Sequence, residues 1–206
     1  METGQKSIRI PPSIRVSAIL LAAGKSERMR RFKQLLPLDG KTFVECCVDN
    51  LLASRASEVI VVTGFKEAQV RHAIGDRSVR LVYNPDYEQG MATSIKRGFA
   101  ELSRESDAAL IALTDQPEIG TCVIDQIIDG YGETRSLITL PVHRGRTGHP
   151  ILIDVQLAPE IQGMDPGLGL RQVVRAHPNS ITYVPVQAES ILLDFDYPED
   201  YARVQK

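Results

Sequence analysis

Several stretches of this sequence carry side chains suited to handling a polyphosphate and a hard cation. The run Leu21-Ala22-Ala23-Gly24-Lys25-Ser26-Glu27-Arg28-Met29, followed by Lys33, mixes small residues with cations. Small side chains let a backbone close on a ligand, so that its N–H groups cradle phosphate. Arg28 offers a planar fork and Lys33 a point charge to a triphosphate. The spacing is not a Walker A loop, because the second glycine and the Lys-Ser/Thr pair are missing, and it is not GxGxxG. A solvated basic turn explains the same composition. Asn84-Pro85-Asp86-Tyr87-Glu88-Gln89-Gly90 reads as a turn, with Thr93 or Ser94 placed to cap the helix that follows. A helix N-terminus with a glycine and a hydroxyl also suits base, ribose or phosphate contacts, which makes Gly90 and Ser94 candidates.

Two carboxylate groups follow apolar runs. Asp115, in Thr114-Asp115-Gln116-Pro117, sits where a buried strand should end. Magnesium takes one or two carboxylates and completes its octahedron with phosphate and water. An Asx turn is the structural alternative. Leu193-Asp194-Phe195-Asp196 ends another apolar run, and strand alternation puts both aspartates on one side. Asp196 is the preferred second ligand, with Asp194 next and helix capping before Pro198 as the plain reading. Arg144-Gly145-Arg146-Thr147-Gly148-His149-Pro150 adds a basic turn whose histidine can donate to a phosphate or a heterocycle. In Asp165-Pro166-Gly167-Leu168-Gly169-Leu170-Arg171, Arg171 can pair with an acceptor phosphate.

The elements that must position these groups alternate. Strands are expected over Val16–Ala22, Val59–Thr63, Val79–Tyr83, Ala108–Leu113 and Leu137–Pro141. Helices are expected over Thr42–Ser54 (with Thr42 as N-cap), Lys66–Ile74, Thr93–Ser103 and Val123–Tyr131. Short strands at Ile151–Ile153, Ile181–Val186 and Ile191–Phe195 follow, with helices near Leu168–Ala176 and over Pro198–Val204. The alternation predicts an α/β fold of three αβα layers around a mostly parallel sheet. Ligands of such sheets sit beyond the carboxyl ends of the strands, where the candidate residues cluster. Residues 1–15 read as a loose lead-in and 16–206 as a single domain.

Composition narrows the classes. The 206 residues are 43% apolar and 24% charged, with a net charge of −2. That balance gives no bulk attraction to nucleic acid or to an anionic membrane. Three cysteines, with no CxxC pair, argue against a disulfide framework and suit a reducing cytoplasm. Cys46 and Cys47 read as packing residues. No run approaches the ~18 apolar residues of a membrane span. The Pro11-Pro12 pair and the following Gly/Lys/Arg loop argue against a signal peptide.

Taken together, LAAGKSERM with Lys33, NPDYEQGMATS, TDQP, GRTGHPILI and LLDFDYPEDY resemble, in this order, the motifs of the molybdenum cofactor cytidylyltransferases. That family is a branch of the GT-A-like nucleotidyltransferases, beside the molybdopterin guanylyltransferases. The resemblance spans residues 16–204. It implies a Rossmann-like GT-A fold and transfer of CMP from CTP to the terminal phosphate of molybdopterin. It places Leu21, Ala22, Ala23, Gly24, Ser26, Arg28, Lys33, Gly90 and Ser94 on the nucleotide. Arg28, Lys33 and Asp115 become catalytic, and Asp115 and Asp196 hold Mg2+, or Mn2+. Gly148, His149 and Pro150 face the acceptor, Arg171 stays a candidate read from its own loop, which matches the family loosely, and a molybdenum hydroxylase is the expected transient partner. Leu-Ala-Ala-Gly resembles the cytidylyl branch, since the guanylyl branch has a second glycine at the place of Ala23. Where the family has glycine after Arg-Met, this chain has Arg30-Arg31, which would crowd the turn if it needs positive φ or else add charge near the phosphates. The alternatives are a relative using GTP or another phosphorylated acceptor such as a sugar phosphate, and a non-catalytic cofactor carrier. A nicotinamide-binding protein is disfavoured by the missing GxGxxG.

Overall fold

A computed structural model describes residues 14–203. Most of the expected lead-in therefore lies outside the described residues. Its last two positions are anchored: Ile14 packs on the core, and the Arg15 N–H donates to Asp107 Oδ2 at 2.9 Å.

The main sheet contains β1 (Val16–Ala22), β4 (Glu58–Thr63), β5 (Arg80–Tyr83), β6 (Ala108–Leu113), β7 (Ile138–His143), β8 (Arg146–Thr147), β9 (Ile151–Asp154) and β10 (Ile181–Pro185). Its order is β10-β7-β9-β6-β1-β4-β5, with β8 paired to β7. A separate antiparallel pair, β2 (Pro37–Leu38) and β3 (Lys41–Thr42), was not expected. β1 is buried along its whole length and hydrogen-bonded on both sides, to β4 and β6. Its continuous apolar run, VSAILLA, is what a strand covered on both faces requires.

Helices cover both faces. Odd and even side chains of β1 point into different layers. Val16, Ala18, Leu20 and Ala22 share a core with α1 (Phe43–Leu52), α2 (Glu67–Ile74) and α4 (Thr121–Thr134). Ile19 and Leu21 share the other with α3 (Met91–Ala100), α5 (Ala158–Gly163) and α6 (Leu170–Ala176). A third cluster joins Phe43, Met29 and Leu36 to Phe195 and to Tyr201 of α7 (Pro198–Ala202). The three-layer expectation therefore holds. Thr42 caps α1 as expected, in a reciprocal capping box with Glu45.

Three details differ. β9 runs antiparallel to both neighbours, β6 and β7. Its amino end therefore lies at the edge where the parallel strands end, and it brings Gly148-His149-Pro150 there. Ile191–Phe195 is not a strand: Glu189–Leu192 forms a 3-10 turn, and the backbone beyond finds loop partners. Neither Thr93 nor Ser94 caps α3, which begins earlier, at Met91, with Gly90 at the cap. Thr93 instead donates its hydroxyl to the carbonyls of Asp86 and Gly90. Among the described residues, no helix is long and apolar enough to cross a membrane.

Candidate active site at the switch point of the sheet

From β1 the chain crosses to β4 and β5 on one side, then returns to β6 on the other. The crevice between the ends of β1 and β6 is the natural ligand site of such a sheet. The loop after β1 and Asp115 after β6 face each other there. Both the backbone N–H and the hydroxyl of Thr114 donate to the Leu21 carbonyl, which fixes the two strand ends together.

The loop after β1 is held by its carbonyls. Gln34, buried in a 3-10 turn, donates through Nε2 to the carbonyls of Ala22 at 3.4 Å and Gly24 at 2.8 Å. Phe65 N–H donates to the Ala23 carbonyl at 3.1 Å. Across a planar trans peptide, C=O and the next N–H point in opposite directions. Three carbonyls turned into the protein therefore turn the N–H groups of Ala23, Gly24 and Lys25 away from it, which suits an anion. Ser26, in a left-handed conformation at φ 57°, donates to Gln34 Oε1 and receives the Lys33 N–H. Arg30 also takes a positive φ, 53°. The turn requires it where the resembling family carries glycine.

Four of the expected residues form one ionic network. Lys33 Nζ lies 2.6 Å from Asp115 Oδ2 and 2.9 Å from Asp196 Oδ1. Arg28 reaches the other oxygen of Asp196 at 2.7 Å and stacks over the Tyr197 ring. The three central side chains are mostly shielded, with 15–21% of each exposed. Burial opposes the charge on Lys33, but the two carboxylates outweigh it and hold its ammonium above the ordinary range. A cleft of about 500 Å3 opens beside them, lined by Arg28, Arg30 and Tyr197 among others.

The donor set fits a hard cation. Asp115 Oδ1 is buried and has no hydrogen-bond partner among the described residues, a carboxylate oxygen left to accept. Among the described residues no group of three or more His, Cys, Asp or Glu side chains gathers as a cage. Two carboxylates without a cage match magnesium, which draws its remaining ligands from substrate and water, and not a closed structural zinc site. Asp194 turns elsewhere: it accepts from Gln116 Nε2 at 2.7 Å, and burial raises its carboxyl above the ordinary range.

Of the other candidates, His149 feels the charge of Asp115, and the rest are held by contacts of their own. Gly90, at φ 110°, lies so that a Cβ would stand 3.7 Å from the Pro166 carbonyl. The loops after β5 and before α6 therefore meet. Ser94 is enclosed, and its hydroxyl accepts from Asn84 at 2.9 Å. Gly148 is forced by packing, since a Cβ there would collide with the Ile191 carbonyl. The His149 N–H donates to that same carbonyl at 3.2 Å. Burial pushes the His149 imidazole below its ordinary range, against the pull of Asp115, which favours the neutral ring. Arg171 is exposed on α6 and makes no ion pair among the described residues. Sequence reasoning missed Gln34, Gln116 and Asn84, the buried amides that hold the site's loops. Their only signal was position, beside Lys33, beside Asp115 and at the start of the third loop.

A sheet of this order, with a small-residue loop and two carboxylates at its switch point, defines a nucleotidyltransferase of the GT-A-like class. Residues 18–181 match the MobA-like NTP transferase domain, and the chain belongs to that family of enzymes. The molybdenum cofactor cytidylyltransferase of Escherichia coli K12 is 28% identical over 90% of this chain and 93% of its own. Nicotine blue oxidoreductase of Paenarthrobacter nicotinovorans is 30% identical over 92% and 96%. Among solved structures, a nucleotidyl transferase from Methanothermobacter superposes with a TM-score of 0.80 at 25% identity, covering 93% of this chain and 96% of its own. A manganese complex of Rv0371c from Mycobacterium tuberculosis superposes at 0.79 with 23% identity, covering 92% and 97%, a likeness of fold.

Proposed function

We propose that residues 16–206 act as one catalytic domain that transfers CMP from CTP to the terminal phosphate of molybdenum-loaded molybdopterin, releasing pyrophosphate. The observation that carries this reading is the Lys33–Asp115–Asp196–Arg28 network beside the N–H-presenting loop after β1. The attacking group is a phosphate oxygen, already ionised near neutral pH, so no strong base is needed. What remains is to place two polyanions and offset their charge. Asp115 and Asp196 would hold Mg2+, which supplies charge neutralisation at the triphosphate. Arg28 and Lys33 add fixed positive charge, and the loop from Leu21 to Ser26 receives phosphate and base. Gly90 and the enclosed Ser94 shape the nucleotide side. Gly148, His149, Pro150 and Arg171 face the acceptor, where a neutral His149 suits hydrogen bonding to a heterocycle. A hydroxylase receiving the product is the proposed transient partner, and the cytoplasm the proposed place. Of the two similar relatives' names, the cytidylyltransferase fits this network better. A cluster of cations and carboxylates serves a triphosphate, and hydride transfer has no use for it.

The test is metal-dependent pyrophosphate release from each of the four NTPs, with and without molybdenum-loaded molybdopterin. Release from CTP only with the acceptor is the expected result. Release from GTP, or with a sugar phosphate in place of the pterin, would reassign the substrate. No release from any NTP, with tight binding of the finished dinucleotide, would make the protein a carrier.

A further inference from the structure

Lys33 bridges the two carboxylates that the proposed function gives to the metal, and among the described residues no other cation touches both. Its ammonium is within hydrogen-bond distance of Asp115 Oδ2 and Asp196 Oδ1 at once. With Arg28 on the outer oxygen of Asp196, it is therefore the shared counter-ion that offsets the charge of a partly buried carboxylate pair before substrate arrives. A divalent cation and this ammonium compete for the same oxygens, since like charges at such spacing repel strongly. Lys33 also starts the 3-10 turn whose Gln34 grips the phosphate-facing loop, so its flexible stem begins beside that loop. Four carbons of reach and three rotatable donors let a lysine move between two anionic partners without backbone motion.

We infer that Lys33 is a placeholder cation, which holds Asp115 and Asp196 together in the free protein and passes to the incoming triphosphate, opening the carboxylates to the metal. Metal binding is thereby coupled to nucleotide binding. Free divalent cation binds weakly on its own, and the metal enters with, or after, the triphosphate. The carboxylates are kept at ligand spacing by the ammonium they later release. This makes Lys33 a positioning residue for the metal as well as a partner of phosphate, and it rests on the reading that Asp115 and Asp196 receive the cation.

The two roles predict effects of opposite sign in one variant. Binding of Mn2+ alone, followed by the loss of its free EPR signal, is compared between the wild type and Lys33→Met. Binding of metal-free CTP, in excess EDTA, is measured on the same proteins. Lys33→Met should bind Mn2+ about tenfold tighter or more, because a competing positive charge is gone, and should bind CTP more weakly. The Mn2+ gain should vanish when Asp115→Asn is added. A variant that loses both affinities has only a structural role, and one that loses CTP alone has only a phosphate role; either result overturns the inference. If Lys33→Met does not fold, Lys33→Gln keeps a donor for the carboxylates and should shift both affinities in the same directions. The Mn2+ arm uses no nucleotide, so it stands or falls apart from the CTP assignment. A wild type that transfers CMP while its Lys33 variants gain no metal would sink the exchange and leave the activity intact.

Discussion

Asp115 presents its two oxygens to different surroundings. Oδ2 takes the Lys33 ammonium, while Oδ1 is buried with no partner among the described residues. Replacing the carboxylate by an amide removes charge from the proposed metal site and few contacts on which the fold depends. Asp115→Asn is expected to lower kcat/KM by about a thousandfold, roughly 4 kcal/mol of transition-state stabilisation. Its thermal unfolding should stay near that of the wild type. A variant that retains turnover would remove Asp115 from the metal. Arg30 gives a case of backbone strain. It is exposed and holds φ 53°, a conformation that costs a side-chain-bearing residue about 1–2 kcal/mol. Glycine relieves that but has more freedom to lose on folding. Arg30→Gly should therefore stabilise the protein by about 0.5–1 kcal/mol, read as an increased denaturant midpoint with unchanged slope. A lower midpoint would mean that Arg30 makes a contact worth more than its strain.

Elements place these residues, and here the sequence is unevenly informative. β1 occupies Val16–Ala22, the span expected from its apolar run, and Asp115 follows β6 as expected. Such runs are legible because a strand buried on both faces admits little else. Ile191–Phe195 looks equally apolar, yet no strand forms. Its backbone is satisfied by loops instead: the Ile191 carbonyl takes His149 N–H, and Phe195 N–H donates to the Asp115 carbonyl at 3.0 Å. Those partners are distant in sequence and invisible to any local pattern. The reversal of β9 is hidden for the same reason, since strand direction leaves no mark on apolar alternation. α5 was missed because six residues opening on Ala-Pro show too little periodicity. The tail and the turn before β9 meet at Gly148, where any side chain would strike the Ile191 carbonyl. Gly148→Ala should cost about 1–3 kcal/mol of stability through overpacking. By displacing the tail that carries Asp196, it should also weaken divalent-metal binding. Unchanged affinity for Mn2+ in the folded variant would show that the tail holds its place without this contact.

Across the whole molecule, the site joins positions far apart in the chain. Lys33 reaches 82 residues to Asp115 and 163 to Asp196. Contacts of such separation form slowly, because loop closure precedes any gain from them. Stability is also uneven. β1 is fully buried and paired on both edges, whereas the loop after it and residues 189–203 are half-buried or exposed at many positions. In native-state hydrogen exchange, the β1 amides should open only through global unfolding. Those of residues 24–33 and 189–200 should exchange far faster, and slow when metal and nucleotide are added. Equal rates in the two groups would contradict this gradient. The consequence concerns time rather than affinity. By this gradient the floor of the crevice should open last and its rim first, so the rim should govern how long a bound ligand stays. On warming, the protein should lose its hold on the metal while the sheet beneath is still intact.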